Sequence, residues 1–127
     1  MMKCTTAVPN IVFDKHLPYL KEAELKVLLI IIRQTHGWVD KRTGRRKTRD
    51  RISHSQFMTK TALSRRIVSA AIKSLVEKGL INVTDFAGNL LIKPHQRQGV
   101  TSLYYSWSES DRITSVSEVV RQRRMFG

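Results

Sequence analysis

The chain has 127 residues, which is enough for one domain with a hydrophobic core and too few for two comfortable ones. Its 23 Lys and Arg against 10 Asp and Glu give a net charge of +13, which points to a polyanionic partner, either nucleic acid or an anionic membrane surface. The single cysteine, Cys4, excludes a disulfide framework and a cysteine-based zinc site. The most apolar run, residues 27–32, is too short to span a bilayer, and residues 1–10 lack a signal-peptide core, so we expect a cytoplasmic protein without membrane contact.

The positive charge is concentrated in one stretch. Residues 41–73 contain eleven basic residues and one acidic residue, Asp50, so this stretch carries +10 and the rest of the chain only +3. We expect residues 39–51 to form a basic loop that follows phosphates or reaches a minor groove, although a merely solvated loop is the alternative. If roughly six to eight phosphates are neutralised, affinity should fall by several orders of magnitude between ~50 and ~200 mM salt.

The first predicted elements are a lead-in and a helix. Residues 1–20 are expected to pack on the domain through Ile11, Phe13 and Leu17. Apolar residues then recur at helical spacing over Glu22–Thr35 and predict a helix whose inward face consists of Leu25, Leu28, Leu29 and Ile32. Further apolar residues lie off that face, so the lead-in, the C-terminal tail or a second subunit should cover them: Val27, Ile30 and Ile31.

A helix-turn-helix is predicted next. Residues 51–53 are a candidate short strand, and residues 53–56, Ser-His-Ser-Gln, fit a capping box that begins a helix ending near Lys60. After a turn at residues 61–63, Ser64 is the candidate N-cap of a second helix that runs to Lys78 and stops at Gly79. The apolar face of this second helix is predicted to consist of Ile67 or Val68, with Ala71, Ile72 and Leu75.

Two alternating segments predict a hairpin. Residues 80–86 place Ile81 and Val83 on one side, and residues 102–107 do the same with Leu103, Tyr105 and Trp107. Between them, residues 87–89 are a turn signal, residues 90–93 a candidate strand and residues 94–99 a loop. Residues 108–127 form a basic tail, in which a second capping box at residues 115–118 predicts a short helix. The valines of that helix fit local packing or a dimer interface.

This order of elements predicts an α+β, mainly α fold over residues 21–107, namely a winged helix-turn-helix with a three-helix core and a β-hairpin wing. The second helix of such a motif enters the major groove, where Arg can read guanine, Ser can donate or accept, and Ala70 could touch a thymine methyl. The candidate DNA-binding residues on this helix are Ser64, Arg65, Arg66, Ser69 and Lys73. The candidate phosphate contacts of the loop, the first helix of the motif and the wing are Arg42, Arg45, Arg46, Lys47, Arg49, Ser55, Lys60, Thr61, Lys93 and Arg97.

Other functions have weaker support in the sequence. An enzyme is not expected, because the chain has no Gly-rich phosphate motif ending in Lys-Ser or Lys-Thr, no paired acids in the basic region and no Ser-His-acid spacing. No cofactor or metal is predicted, since the four histidines are scattered. Trp38 and Trp107 are interpreted as core anchors, and Tyr104 or Tyr105 as a candidate surface residue near phosphate. A winged helix that docks an acidic protein remains an alternative.

Seven short segments carry a family resemblance: Val8-Pro9-Asn10, Glu24-Leu25-Lys26-Val27-Leu28-Leu29, Arg33-Gln34-Thr35-His36-Gly37-Trp38, Asp50-Arg51-Ile52-Ser53, Leu63-Ser64-Arg65-Arg66-Ile67-Val68, Gly79-Leu80-Ile81 and Leu103-Tyr104-Tyr105. Over residues 8–107 the chain resembles the N-terminal domain of bacteriophage replication protein O. The resemblance implies binding of double-stranded DNA at repeated sites in a replication origin, with replication proteins and a homodimer as further candidate partners. A winged-helix transcriptional regulator that binds operator DNA is the alternative.

In this family a further C-terminal region recruits the host helicase machinery. The resemblance, which covers residues 8–107, does not include that region. Only about twenty residues follow Trp107, which leaves the recruiting function open: the chain fits a stand-alone origin binder, a shortened relative, or a regulator that uses the same domain. The insert at residues 41–49 is a second departure from the family pattern, because it is longer and more basic than such loops usually are.

Overall fold

The computed structural model describes residues 5–35 and 48–108. In these ranges the helices are α1 (Glu22–Thr35), α2 (His54–Thr61), α3 (Arg65–Glu77) and α4 (Pro94–Arg97), and the strands are β1 (Asp50–Arg51), β2 (Ile81–Thr84) and β3 (Tyr104–Trp107). The strands form one antiparallel sheet in the order β1-β3-β2, with Asp50 opposite Tyr105 and Ile81 opposite Trp107. The protein is therefore α+β and mainly helical, and its element order is consistent with the predicted winged helix-turn-helix.

The lead-in forms a π-helical turn, Val12–His16, followed by a 3₁₀ turn, Leu17–Tyr19. Val12 is fully buried and Ile11 packs beside it, whereas Phe13 is 53% exposed and Leu17 is 39% exposed. Successive residues of a helical turn point about 100° apart, so burying Val12 turns Phe13 towards solvent. The prediction was right for Ile11 and wrong for Phe13 and Leu17.

Helix α1 has the predicted bounds, and Leu28 and Ile32 of its predicted inward face are buried, but Leu25 is only half-buried and Leu29 is exposed. The stripe centres on Val27 and Ile31, while Leu29 is 37% exposed. The reason is that α1 contacts α2, α3 and β3 together, so the side chains of its covered face follow the position of three neighbours. The buried residues of α1 are Glu24, Val27, Leu28, Ile31, Ile32 and Thr35.

Helix α2 begins at the predicted capping box. The Gln56 N–H donates to Ser53 Oγ at 3.1 Å, and the Ser53 N–H donates to Gln56 Oε1 at 2.9 Å. The helix includes Thr61, so the turn to α3 is shorter than predicted. Ala62 makes that turn in the left-handed region, with φ of 63°, and its N–H donates to the Met58 carbonyl at 2.9 Å.

Helix α3 begins and ends where the sequence predicts. Ser64 Oγ accepts from the Ile67 N–H at 3.3 Å, and Gly79 stops the helix with φ of 75°. The Gly79 N–H donates to the Val76 carbonyl and the Leu80 N–H to the Leu75 carbonyl, the pattern of a Schellman motif. Of the two candidates for the apolar face, Val68 is buried and Ile67 is 45% exposed. The buried face is Val68, Ala71, Ile72 and Leu75.

The hairpin of β2 and β3 is present, but its connection differs from the prediction. Residues 90–93 are not a strand: Leu90 makes an isolated bridge to Thr84, and the Leu91 N–H donates to the Val83 carbonyl at 2.8 Å. Residues 94–99 contain the short helix α4 because Pro94, which lacks an N–H and has a fixed φ, suits a first helical position and not a ladder.

One hydrophobic core joins α1, α2, α3 and the sheet. Phe57 and Tyr105 pack edge to face with ring centroids 5.1 Å apart, and Trp107 is buried as predicted. The predicted basic loop at residues 39–51 is described only from residue 48, and Asp50 and Arg51 of it lie in β1. Trp38 and the predicted C-terminal helix lie outside the described residues.

Candidate nucleic-acid interface

Helix α3 forms a ridge between two hollows. The wing-side hollow, of about 370 Å³, lies between α3 and the β2–β3 connection, and the α1-side hollow, of about 470 Å³, lies between α3 and the start of α1. Ala70 lines both hollows, so it stands on the crest of the ridge. A single exposed helix with space on both sides has the shape that the major groove of B-DNA, about 12 Å wide, admits.

The five residues predicted on α3 are all exposed along this ridge. Ser69 and Lys73 line the wing-side hollow, whereas Ser64 and Arg66 line the α1-side hollow. Arg65 lines a third, smaller depression at the N-terminal end of α2, of about 180 Å³, which we call the corner hollow. Within residues 5–35 and 48–108, no carboxylate forms an ion pair with Arg65, Arg66 or Lys73.

Eight of the ten residues predicted to contact phosphate are either exposed, half-buried beside a hollow, or outside the described residues. Ser55, Lys60 and Lys93 are exposed. Arg97 is half-buried on the wing-side hollow, where its Nη1 donates to the Leu91 carbonyl at 2.9 Å and to the Ile92 carbonyl at 3.1 Å. The third group lies outside the described residues: Arg42, Arg45, Arg46 and Lys47.

Two predicted phosphate contacts are used inside the protein instead. Thr61 is buried, and its hydroxyl donates to the Phe57 carbonyl at 2.6 Å, so it does not reach the surface of α2. Arg49 donates to Thr84 Oγ1 at 3.0 Å and to the Asp85 and Phe86 carbonyls at 2.9 and 3.2 Å. Its guanidinium also lies 4.4 Å from the centroid of the half-buried Tyr104 ring. Arg49 therefore fastens the start of β1 to the wing.

Sequence reasoning missed two basic groups at this surface. Arg51 and His54 line the corner hollow together with Arg65. His54 and Leu103 line both the corner hollow and the wing-side hollow, so the two depressions adjoin, and together we call them the wing groove. The signal for His54 is its place at the start of α2 beside Ser55, whereas the sequence interpretation assigns the scattered histidines structural or surface roles.

The wing groove is electrostatically positive at His54. Burial, and then the positive charges of Arg65 and Arg97, lower the pKa of the His54 imidazole below its ordinary 6.5. The ring is therefore neutral at pH 7 in the free protein. Burial is the larger cause, and the two arginines add to it because they make protonation of a ring beside them less favourable.

The other flank of α3 holds an ion pair between the buried carboxylate of Glu24 and the more exposed Lys78. Glu24 is 3% exposed, and its Oε1 accepts from Lys78 Nζ and from the Lys21 N–H, each at 2.8 Å, while its Oε2 accepts from Ser74 Oγ. Burial alone would raise the pKa of Glu24, but these hydrogen bonds from Lys78, Ser74 and Lys21 outweigh it and lower the pKa to about 2. The network anchors the middle and the end of α3 to the start of α1.

The described residues contain neither a candidate membrane-spanning helix nor a candidate metal site. No helix in residues 5–35 and 48–108 combines the length and apolar character that a membrane span requires. In the same ranges, no three His, Cys, Asp or Glu side chains are grouped so that they could hold a metal ion.

An α+β chain of this element order, with a cation-bearing helix ridge and a positive groove beside it, fits the class of nucleic-acid-binding proteins. The family model for bacteriophage replication protein O matches residues 6–107. The chain therefore belongs to this family, as the resemblance in the sequence indicated, and membership implies a role in phage DNA replication. Comparisons with curated proteins and with solved structures gave no match.

Proposed function

We propose that this protein binds double-stranded DNA sequence-specifically at repeated sites in the replication origin of a phage or mobile element. The observation that carries the proposal is the exposed N-terminal half of α3, where Arg65 and Arg66 have no carboxylate partner among the described residues. If Arg65 and Arg66 were buried or paired with carboxylates, their side chains would not be available to contact DNA. Membership of the replication protein O family supports the replication role.

The geometry suggests how the contacts divide. The α3 ridge enters the major groove, where a guanidinium can pair bidentately with guanine and Ser69 can donate or accept. The two hollows then face the two phosphate backbones that border the groove. On this assignment Arg65, Arg66 and Ser69 read bases, while Lys60, Lys73 and Lys93 contribute phosphate contacts that position the protein without carrying sequence information.

The decisive experiment is selection of bound fragments from the phage and host genomes by the purified protein. Clustered repeats at an origin are the expected result. A single operator that overlaps a promoter would instead assign the chain to transcription regulation. If no duplex is bound even at about 50 mM salt while an acidic protein is retained, the protein docks a protein partner and the proposal is wrong.

Base reading is tested with two single variants and a matched control. We expect Arg65→Ala or Arg66→Ala to weaken binding to the selected site by ~1–3 kcal/mol and to weaken binding to random DNA less. The control is Arg33→Ala, an exposed arginine of α1 that lines neither hollow beside α3, which should change neither affinity. Equal losses on the selected site and random DNA would leave only phosphate contact.

The basic loop is tested through salt dependence. Each phosphate contact adds about 0.9 to the slope of log affinity against log salt. Replacing Arg45, Arg46 and Lys47 together by Ala should therefore flatten that slope, whereas an unchanged slope would remove the loop from the interface.

We propose that the protein acts by binding and not by catalysis, so supercoiled DNA incubated with it and Mg²⁺ should stay intact.

A further inference from the structure

The wing groove gathers basic side chains from four separate elements. Arg51 comes from β1, His54 from α2, Arg65 and Lys73 from α3, and Arg97 from α4. No Asp or Glu is among the residues that line either hollow. Charge that converges in this way, in a groove that no carboxylate of the described residues lines, favours binding of an anion from outside.

His54 stands at the centre of this arrangement. It is the residue with a titratable group that lines both hollows, and its half-buried ring has no hydrogen bond to another described residue. The charged groups that face it are Arg65 of α3 and Arg97 of α4, with Arg51 and Lys73 farther along the groove. Glu77 acts electrostatically on Arg97 but does not line the groove.

We propose that the wing groove is a binding site for a backbone phosphate of DNA, and that His54 takes up a proton when the phosphate binds. This inference rests on the proposed function, because the phosphate belongs to a duplex read by α3. It adds a residue outside the predicted interface and makes DNA binding stronger in mild acid. An arginine or lysine alone could not do this, since neither titrates near neutral pH.

The direction of the effect follows from linkage. In the free protein, burial and the two arginines keep the His54 pKa below 6.5. A bound phosphate is an opposite charge close to the ring, and an opposite charge raises a histidine pKa. Between the two pKa values binding therefore takes up a proton, and affinity rises as pH falls through this window. The rise is about tenfold for each unit by which DNA raises the pKa.

The test compares wild type, His54→Gln and His95→Gln by fluorescence anisotropy on one duplex at fixed salt, from pH 8.0 to pH 5.5. His95 is an exposed histidine of α4 that lines neither hollow of the wing groove, so it is the matched control. Wild type and His95→Gln should gain affinity on the order of tenfold towards pH 5.5. The affinity of His54→Gln, whatever its value at pH 8, should vary by no more than about twofold across the range.

A second measurement does not depend on a variant that folds. The His54 ring protons, followed by NMR in the wild-type protein, should titrate at a higher pH in the complex than in the free protein. Wild-type binding that is independent of pH, or pH dependence that persists in His54→Gln, overturns this inference and leaves the proposed function intact. Absence of duplex binding at every pH overturns both.

Discussion

The two flanks of α3 treat charge in opposite ways. On the α1 flank, the carboxylate of Glu24 is matched by Lys78, Ser74 and the Lys21 N–H. On the wing flank, arginine and lysine side chains surround His54, and no carboxylate lines the groove. Charges that are satisfied inside the protein hold the helix in place, whereas charges that the protein leaves unmatched cost stability until a ligand neutralises them. The comparison separates the residues that hold α3 in position from the residues that are available to contact DNA.

The largest expected effect comes from breaking the matched flank. Glu24→Gln removes a buried charge that accepts three hydrogen bonds, and it leaves the partners of that charge poorly satisfied. We expect a loss of about 2–3 kcal/mol in the free energy of unfolding, measured by urea denaturation.

The matched control for this variant is Glu22→Gln. Glu22 forms a 3.3 Å ion pair with Lys26, but its side chain is 82% exposed, so the unfolding free energy should change by less than about 0.5 kcal/mol. DNA affinity of the folded Glu24→Gln protein should stay within about threefold of wild type, because Lys78 already neutralises the Glu24 carboxylate. Equal stability losses in the two variants, or a large loss of DNA affinity, would contradict the division of the flanks.

The same carboxylate predicts how stability depends on pH. The pKa of Glu24 is about 2 in the folded protein against an ordinary value of 4.5, so the folded state favours the ionised form. This contribution is fully present above pH 4.5 and is lost as pH falls from there towards 2. Urea midpoints between pH 6 and pH 2.5 should fall more steeply for wild type than for Glu24→Gln. Parallel curves would mean that Glu24 is not the group responsible.

Features decided within a few residues were predictable from the sequence. The capping box of Ser53 and Gln56, the Ser64 N-cap and the Gly79 stop each depend on contacts no more than five positions apart. They appear in the structure at the predicted residues, because a backbone N–H at a helix end needs a local acceptor. The α3 face of the candidate site was predictable for the same reason, since helical periodicity fixes which residues share a side.

Features decided by distant partners were not predictable. Arg49 looked like part of a phosphate-binding run, yet its acceptors lie 35 to 37 positions away on the wing. In the sequence His54 is an isolated histidine, and only the fold places Arg97 of α4 close enough to act on its ring. The inward face of α1 was predictable only in part, because residues 27–32 are all apolar and could turn more than one stripe inward, so that the position of the neighbouring elements decides.

Arg49 and Arg65 sharpen the comparison. Both are arginines of the basic stretch, but Arg49 is hydrogen-bonded within the protein, whereas Arg65 is assigned to the DNA interface. Arg49→Ala removes three hydrogen bonds and a contact with the Tyr104 ring, so we expect a loss of about 1–2 kcal/mol in unfolding free energy and no change in the salt slope of DNA binding. Arg65→Ala should do the reverse: its stability should change by less than about 0.5 kcal/mol, while DNA binding weakens. An Arg49→Ala protein of normal stability and reduced salt slope would return Arg49 to the interface.

The smallest expected effect concerns the turn that sets α2 against α3 and so shapes the corner hollow. Ala62 is exposed and has φ of 63°, a left-handed conformation that costs an L-residue about 1–2 kcal/mol and glycine almost nothing. Glycine loses more chain entropy on folding, by about 0.4–1 kcal/mol, so Ala62→Gly should stabilise the protein by a net ~0.5 kcal/mol in urea denaturation. DNA affinity should not change if packing, such as the buried Phe57, fixes the angle between the helices. A weaker affinity in a more stable variant would show that the strained turn itself holds Arg65 beside His54, and the wing flank would then depend on backbone strain as well as on charge.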